Sequence, residues 1–305
     1  MPQQRITIVL NSASGRHNST DQETTYRRAF EHHGCDVRIV RISDYESVED
    51  AARAALSKAD HTLVVAGGDG TICAFASVML EHDRPFGIIP SGTFNYFGRS
   101  LGLPEELEAA VELIVTGAAG PVEAATINGK MFLNNASIGA YAAILQTREG
   151  IYKRWGRSRI AAYWSVVKAL ATFRAPLHLD VTIDDVHRSF KTPLIFIINN
   201  AFQLEQMGLD GIDCIHSGKM VVLLAPDTNR WGLFKHAAAL AVGLARKQTD
   251  YTMHCGKDVN IVMRRARRPV ARDGELTRMA GPFELRRTSR PLQVIMAPER
   301  TEQVR

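Results

Sequence analysis

From Arg5 to Pro90, short runs of β-branched and aliphatic residues alternate with longer segments whose apolar positions recur every three or four residues. That rhythm predicts parallel strands covered by helices. Strands are expected at Arg5 to Asn11, Asp36 to Ile42, His61 to Ala66 and Phe86 to Pro90. Between them, helices are expected over Thr20 to His33, Glu46 to Lys58 and Thr71 to Glu81, the first opened by a Thr20/Glu23 capping box and stopped by Gly34. Pro104 is expected in the first turn of a helix running to Thr116. After Pro121 the pattern shifts to period two, with Asn128-Gly129 and Asp184-Asp185 placed as hairpin turns of an antiparallel sheet. Two helical stretches, 157–173 and 228–246, interrupt it. The fold class expected is an α/β N-terminal domain followed by a mostly β domain, with the boundary near residue 122.

A chain of 305 residues, 45% hydrophobic and 23% charged, is globular in composition and long enough for two cores. Cys35, Cys73, Cys214 and Cys255 stand far apart with no C-x-x-C spacing, which suggests neither a zinc site nor a disulfide framework. They are read as reduced thiols of a cytoplasmic protein. The first fifteen residues lack a secretory signal, and the longest apolar run, between His236 and Arg246, falls short of the ~18 residues a membrane span needs. The net charge of +5 favours anionic partners.

The chemistry concentrates in three loops. At Val64-Val65-Ala66-Gly67-Gly68-Asp69-Gly70-Thr71 an apolar strand breaks into glycines and opens a helix, whose N-terminal N–H groups and dipole attract phosphate. A tight strand-to-helix turn accounts for the glycines but not for Asp69. A carboxylate there would repel a triphosphate unless a divalent cation bridged them, so Mg²⁺ is expected with ATP. Gly87 to Asn95 repeats the arrangement, with Gly92, Thr93 and Asn95 at the carboxyl end of a strand, where ligands of open α/β sheets bind. Asn11 to Gly15 makes a third small polar loop on the same edge. Farther along, Asp273-Gly274-Glu275 places two carboxylates around a turn glycine; such a pair deprotonates an alcohol in some settings and is a solvated hairpin in more of them.

Together, the Asn11 loop, G-G-D-G-T at Gly67 to Thr71, P-x-G-T-x-N at Pro90 to Asn95 and D-G-E at Asp273 to Glu275 resemble the bacterial diacylglycerol kinase-like lipid kinases, a family that includes the catalytic domains of sphingosine and ceramide kinases. G-G-D-G-T alone is shared with NAD kinases and phosphofructokinases. The P-x-G-T-x-N run followed by Phe97 and Arg99 points to the lipid kinases. The resemblance implies a nucleotide domain over 1–122, joined by a returning strand near 291–305, and a sandwich-like lipid-acceptor domain over 123–290, with the active site in the cleft between them. It implies that Asn11, Gly67, Gly68, Asp69, Gly70, Thr71 and Thr93 bind ATP, that Ser43 corresponds to a hydroxyl of the nucleotide pocket, and that Glu275 matches the family's proton acceptor with Asp273 beside it; which of the two takes the proton, and whether Asp69 contributes to catalysis, the resemblance leaves open. Tyr96 stands where many members have an acid, and Ser217 where some place the ligand of a structural Mg²⁺, so that second ion is not expected.

Basic and aromatic residues interleave from Arg148 through Tyr152, Trp155 and Arg159 to Trp164, a mixture suited to an anionic membrane surface or to a solvated helix face. Arg264, Arg265, Arg267 and Arg268 form a second basic group. No nucleic-acid-binding module accompanies the charge. The expected activity is transfer of a phosphoryl group from ATP to a lipid hydroxyl, of diacylglycerol or a ceramide-type lipid, by an enzyme peripheral to the inner face of the membrane. An unpaired sheet edge would support a homodimer. The rivals are a kinase for a soluble acceptor such as NAD and a regulatory protein that binds nucleotide or lipid without turnover.

Overall fold

The computed structural model describes residues 3–11, 19–145, 176–228, 231–232, 235–236, 239, 246–264 and 267–298. The chain forms two compact units, one of 1–124 with 288–305 and one of 125–287.

In the first unit, β1 (Arg5–Leu10), β2 (Asp36–Arg41), β3 (Thr62–Gly67) and β4 (Phe86–Pro90) pair in parallel in the order β2-β1-β3-β4. The sheet is completed by β5 (Ala118–Val122) and by a strand from the far end of the chain, Leu292–Met296, which inserts between β4 and β5. Helices α1 (Ser19–His32), α2 (Val48–Ala55), α3 (Asp69–His82), α4 (Tyr96–Ser100) and α5 (Leu107–Thr116) connect these strands. Tyr26 and Phe30 of α1 and Val111 and Ile114 of α5 pack on Ile6, Ile8, Leu10, Val64 and Ile89. The strands are apolar on nearly every residue, as a sheet buried on both faces requires.

Several element ends differ from those expected, because side-chain caps set them. Ser47 accepts the Asp50 N–H at 3.1 Å, so α2 opens there and closes at Ala55. Pro104 lies outside α5, which starts after Glu106 because that carboxylate accepts the Ala109 N–H at 3.1 Å. The Glu23 carboxylate pairs with Arg41 of β2. The Thr20 side chain lies outside the described residues.

The second unit is a sandwich of two antiparallel six-stranded sheets. One has the order β10-β9-β14-β17-β6-β7, built from β6 (Ala125–Ile127), β7 (Lys130–Phe132), β9 (Leu177–Ile183), β10 (Val186–Thr192), β14 (Asp258–Met263) and β17 (Phe283–Arg287). The other has the order β13-β12-β11-β8-β15-β16, from β8 (Asn135–Gly139), β11 (Leu194–Ile198), β12 (Met220–Leu224), β13 (Thr252–Gly256), β15 (Arg267–Arg272) and β16 (Glu275–Ala280). Their inward residues, among them Phe132, Ile138, Ile197, Val222, Ile261 and Phe283, form one core. Both Asn128-Gly129 and Asp184-Asp185 turn with positive φ at each residue, which matches the twist of the flanking strands. Helices α6 (Ala201–Gln206) and α7 (Ile212–His216) cover the outer face of the second sheet. The helix expected over 157–173 and the basic and aromatic residues from Arg148 to Trp164 lie outside the described residues; of 228–246, helix is described only at 231–232, 235–236 and 239.

The cysteines require a correction. Cys35 and Cys73 are buried thiols, but Cys214 and Cys255 form a disulfide. Their 41-residue separation hides the pairing from a spacing argument. Packing reveals it, because α7 lies on β12 while Cys255 faces Val221 of β12 across the next strand. Alkylation of the denatured, unreduced chain should therefore modify two of the four thiols, and all four after reduction, as read by intact mass.

Candidate active site

The carboxyl ends of β1, β3 and β4 lie side by side, and the pairing runs past them: Asn11 N–H donates to Ala66 O at 3.0 Å and Ser91 N–H to Gly67 O at 2.9 Å. This brings the Gly67–Thr71 turn against the Ser91–Asn95 loop. A Cβ on Gly92 would fall 2.6 Å from the Gly68 Cα and 2.8 Å from Asn95 Oδ1, so the two loops touch backbone to backbone. A Cβ on Gly67 would fall 2.7 Å from the Thr71 side chain, whose hydroxyl accepts from Asn11 Nδ2 at 2.7 Å.

Helix α3 starts at Asp69 with Gly68 as its N-cap, and Gly68 has no side chain to cap it. Its first intrahelical bond is Ile72 N–H to Gly68 O. The N–H groups of Asp69, Gly70 and Thr71 thus precede the helical ladder at the positive end of a 14-residue helix. Glycine-lined backbone and an uncapped N-terminus fit the phosphates of a nucleotide.

Asp69 has a use that a strand-to-helix turn by itself does not suggest. Its Oδ2 accepts the Tyr96 N–H at 3.2 Å and its Oδ1 the Phe97 N–H at 3.0 Å, so it caps α4 and ties the second loop to the first. No group of three or more His, Cys, Asp or Glu among the described residues could hold a metal ion by itself. A cation brought by phosphates and touching one carboxylate needs no such cluster, and Asp69 fits that mode.

Asn95 shapes the loop. It is buried, left-handed at φ 50°, and uses Oδ1 to accept Gly92 N–H at 2.8 Å and Nδ2 to donate to Glu105 Oε1 at 3.0 Å. Glu105 also takes Arg99 at 3.1 Å on each oxygen. The Arg99 guanidinium, followed by the Asn95 amide, holds the Glu105 carboxyl below its usual range. Thr93 is exposed at the loop tip. Ser43 is exposed after β2, 3.3 Å from Asp44 Oδ1, and with Asp44, Tyr45, Glu46 and Asp50 lines an open depression of about 520 Å³.

In the second unit, Asp273 and Gly274 form the left-handed turn between β15 and β16. The Asp273 carboxylate accepts the N–H groups of Leu133 at 2.7 Å, Asn134 at 2.7 Å and Asn135 at 3.0 Å. Three backbone N–H groups of another segment bind it, so Asp273 fixes the turn. Glu275, first in β16, is exposed. Of the basic group, Arg267 and Arg268 lie in β15, Arg264 follows β14, and Arg265 is outside the described residues. Ser217 Oγ donates to Cys214 O at 2.9 Å, closing α7.

A buried amide network beside Asp273 was not anticipated. Asn200 Nδ2 donates to Asn134 Oδ1 at 2.6 Å, Asn135 Nδ2 to Gln203 Oε1 at 3.0 Å and Asn199 Nδ2 to Leu133 O at 3.2 Å. The signal was present as two Asn-Asn pairs at the ends of apolar runs, Asn134-Asn135 and Asn199-Asn200. Glu105 and Arg99 were likewise missed as partners of the loop.

Residues 5–127 match the diacylglycerol kinase catalytic domain. Over 138 residues the chain is 32% identical to the diacylglycerol kinase of Bacillus subtilis, covering 44% of this chain and 46% of that protein. Over 186 residues it is 28% identical to the diacylglycerol kinase of Mycobacterium tuberculosis, covering 59% of each. The chain thus spans about half the length of these curated relatives. The fold of a diacylglycerol kinase from Bacillus anthracis superposes with a TM-score of 0.70 at 18% identity, over 98% of this chain and 99% of that one. The diacylglycerol kinase-like stretch contains both glycine loops, Asp69 and Asn95, whereas Asp273 and Glu275 lie beyond it.

Asp273→Ala strands three backbone donors and should destabilise the second unit by about 3 kcal/mol, seen as a lower urea midpoint. Gly92→Ala should weaken nucleotide binding in calorimetry by forcing the two loops apart.

Proposed function

We propose that the protein is a lipid kinase that transfers the γ-phosphoryl group of ATP to a primary hydroxyl of an acyl-bearing membrane lipid. The observation that carries this reading is the uncapped α3 N-terminus pressed against the Gly92 loop, within the stretch that matches the diacylglycerol kinase catalytic domain. Diacylglycerol is the acceptor favoured by the relatives' names. A ceramide-type lipid presents the same primary hydroxyl beside acyl chains.

The N–H groups of Asp69, Gly70 and Thr71 would hold phosphate oxygens, with Asn11 orienting the Thr71 hydroxyl and Thr93 reaching from the neighbouring loop. Asp69 would hold a magnesium ion carried by the triphosphate, which supplies neutralisation of the charge on the transferring group. Glu275 would take the proton of the acceptor hydroxyl as its oxygen bonds to phosphorus and the bond to the β-phosphate oxygen breaks, releasing ADP. Asp273 positions the turn that carries Glu275. Because the acceptor resides in a bilayer, the enzyme would work at the membrane surface, on the side that supplies ATP.

Incubating a total lipid extract with ATP and magnesium should yield a phosphorylated lipid by mass spectrometry. Asp69→Ala and Glu275→Ala should each lower turnover by about 100-fold or more; Asp69→Ala should also lower the melting temperature, because it strands the Tyr96 and Phe97 N–H groups. Chelation by EDTA should abolish turnover and added Mg²⁺ restore it. Product from NAD and none from lipid would instead favour a soluble acceptor, and nucleotide binding without any product a regulatory protein.

A further inference from the structure

We infer that Phe94, stacked on Tyr96, receives the acyl chain of the acceptor and so selects a lipid over a soluble alcohol. The inference rests on the phosphoryl-transfer reading above and adds the element of the site that recognises the substrate's apolar part.

Phe94 is 58% exposed, in a loop whose other members, Ser91, Gly92, Thr93 and Asn95, are small and polar. Its ring lies parallel to that of Tyr96, with an interplanar angle of 2° and centroids 5.5 Å apart. The backbone under the two rings is held in place. Asn95, between them, is bonded to Gly92 and Glu105, and Tyr96 N–H donates to Asp69. The pair is therefore a preorganised apolar plate, and a ligand placed on it loses little to ordering the protein.

Strand order decides which end of the substrates meets this plate. The depression at Ser43 follows β2, the phosphate-binding turn follows β3, and Phe94 follows β4, in a sheet ordered β2-β1-β3-β4. Asp44, Glu46 and Asp50 line the depression. Those carboxylates repel phosphate and accept hydrogen bonds from the hydroxyls and amine of a nucleoside. Two strand spacings, about 10 Å, separate it from the phosphate turn, a distance a nucleotide spans. A nucleotide lying from β2 to β3 points its terminal phosphate towards β4. The group that comes to rest on Phe94 is then the acceptor. A bare phenyl face offers no hydrogen bond to a polyol, but it removes the first methylenes of an acyl chain from water.

The test uses the full chain and monoacylglycerols of short and medium chain length, each below its micelle-forming concentration, with binding followed by intrinsic fluorescence. Phe94→Ala should weaken the medium-chain lipid by about ten-fold and the short-chain one much less. MgATP affinity and melting temperature should not change, and Phe94→Leu should recover most of the loss. Equal weakening for both chain lengths, no weakening, or a loss of MgATP affinity showing that the plate stacks a nucleobase would each overturn the inference. Wild-type protein that binds neither lipid would overturn it too. Chain-dependent binding that needs Phe94, without phosphorylated product, would leave it standing and remove the kinase reading instead.

Discussion

The contact between Gly68 and Gly92 is the constraint on which the first unit depends. Because β3 and β4 are parallel neighbours, their outgoing loops leave from the same edge at strand spacing, and no side chain fits between them. The gap closes with backbone on backbone, is bridged by Ser91 N–H to Gly67 O, and is locked by Asp69 capping α4. What results is a surface of peptide N–H groups whose positions are set before any ligand arrives. Catalysis of phosphoryl transfer asks for such preorganisation more than for reactive side chains.

The two aspartates that stand out in the sequence are used alike. Asp69 accepts two backbone N–H groups and Asp273 accepts three, each tying its own glycine turn to a second segment. A carboxylate beside glycines suggests chemistry, yet it is also the strongest acceptor available for N–H groups that end a helix or a strand. Asp69 plays that part at the start of α3, where it joins the two glycine loops. Asp273 holds in place the turn from which Glu275 follows.

Around these turns the polar residues are arranged to hold loops. Asn95 in its left-handed conformation, Glu105 and Arg99 brace the second loop from outside, while the amides of Asn134, Asn135, Asn199, Asn200 and Gln203 brace the Asp273 turn from below. Against this polar background the exposed ring of Phe94 is out of character. Its fixed stacking on Tyr96 makes it a feature of the site's shape.

The fold class was legible in the sequence because it follows from periodicity. Continuous apolar strands alternating with helical segments require a parallel sheet covered on both faces, and period-two strands with Asn-Gly and Asp-Asp turns require antiparallel hairpins. The glycine loops were legible too, since glycine runs at the ends of strands have few other causes. What the sequence could not disclose was which groups meet across long separations. Helix ends moved to Ser47 and Glu106 because side-chain acceptors there outcompete periodicity, and Cys214 found Cys255 through the packing of α7 on β12. Asp69 met α4, and Asp273 met the strand after Leu133, only because the sheets bring those backbones within 3.2 Å. Local pattern sets which face of an element is apolar and where the chain turns. The partner of a polar atom is set by which elements become neighbours, and that is decided in three dimensions.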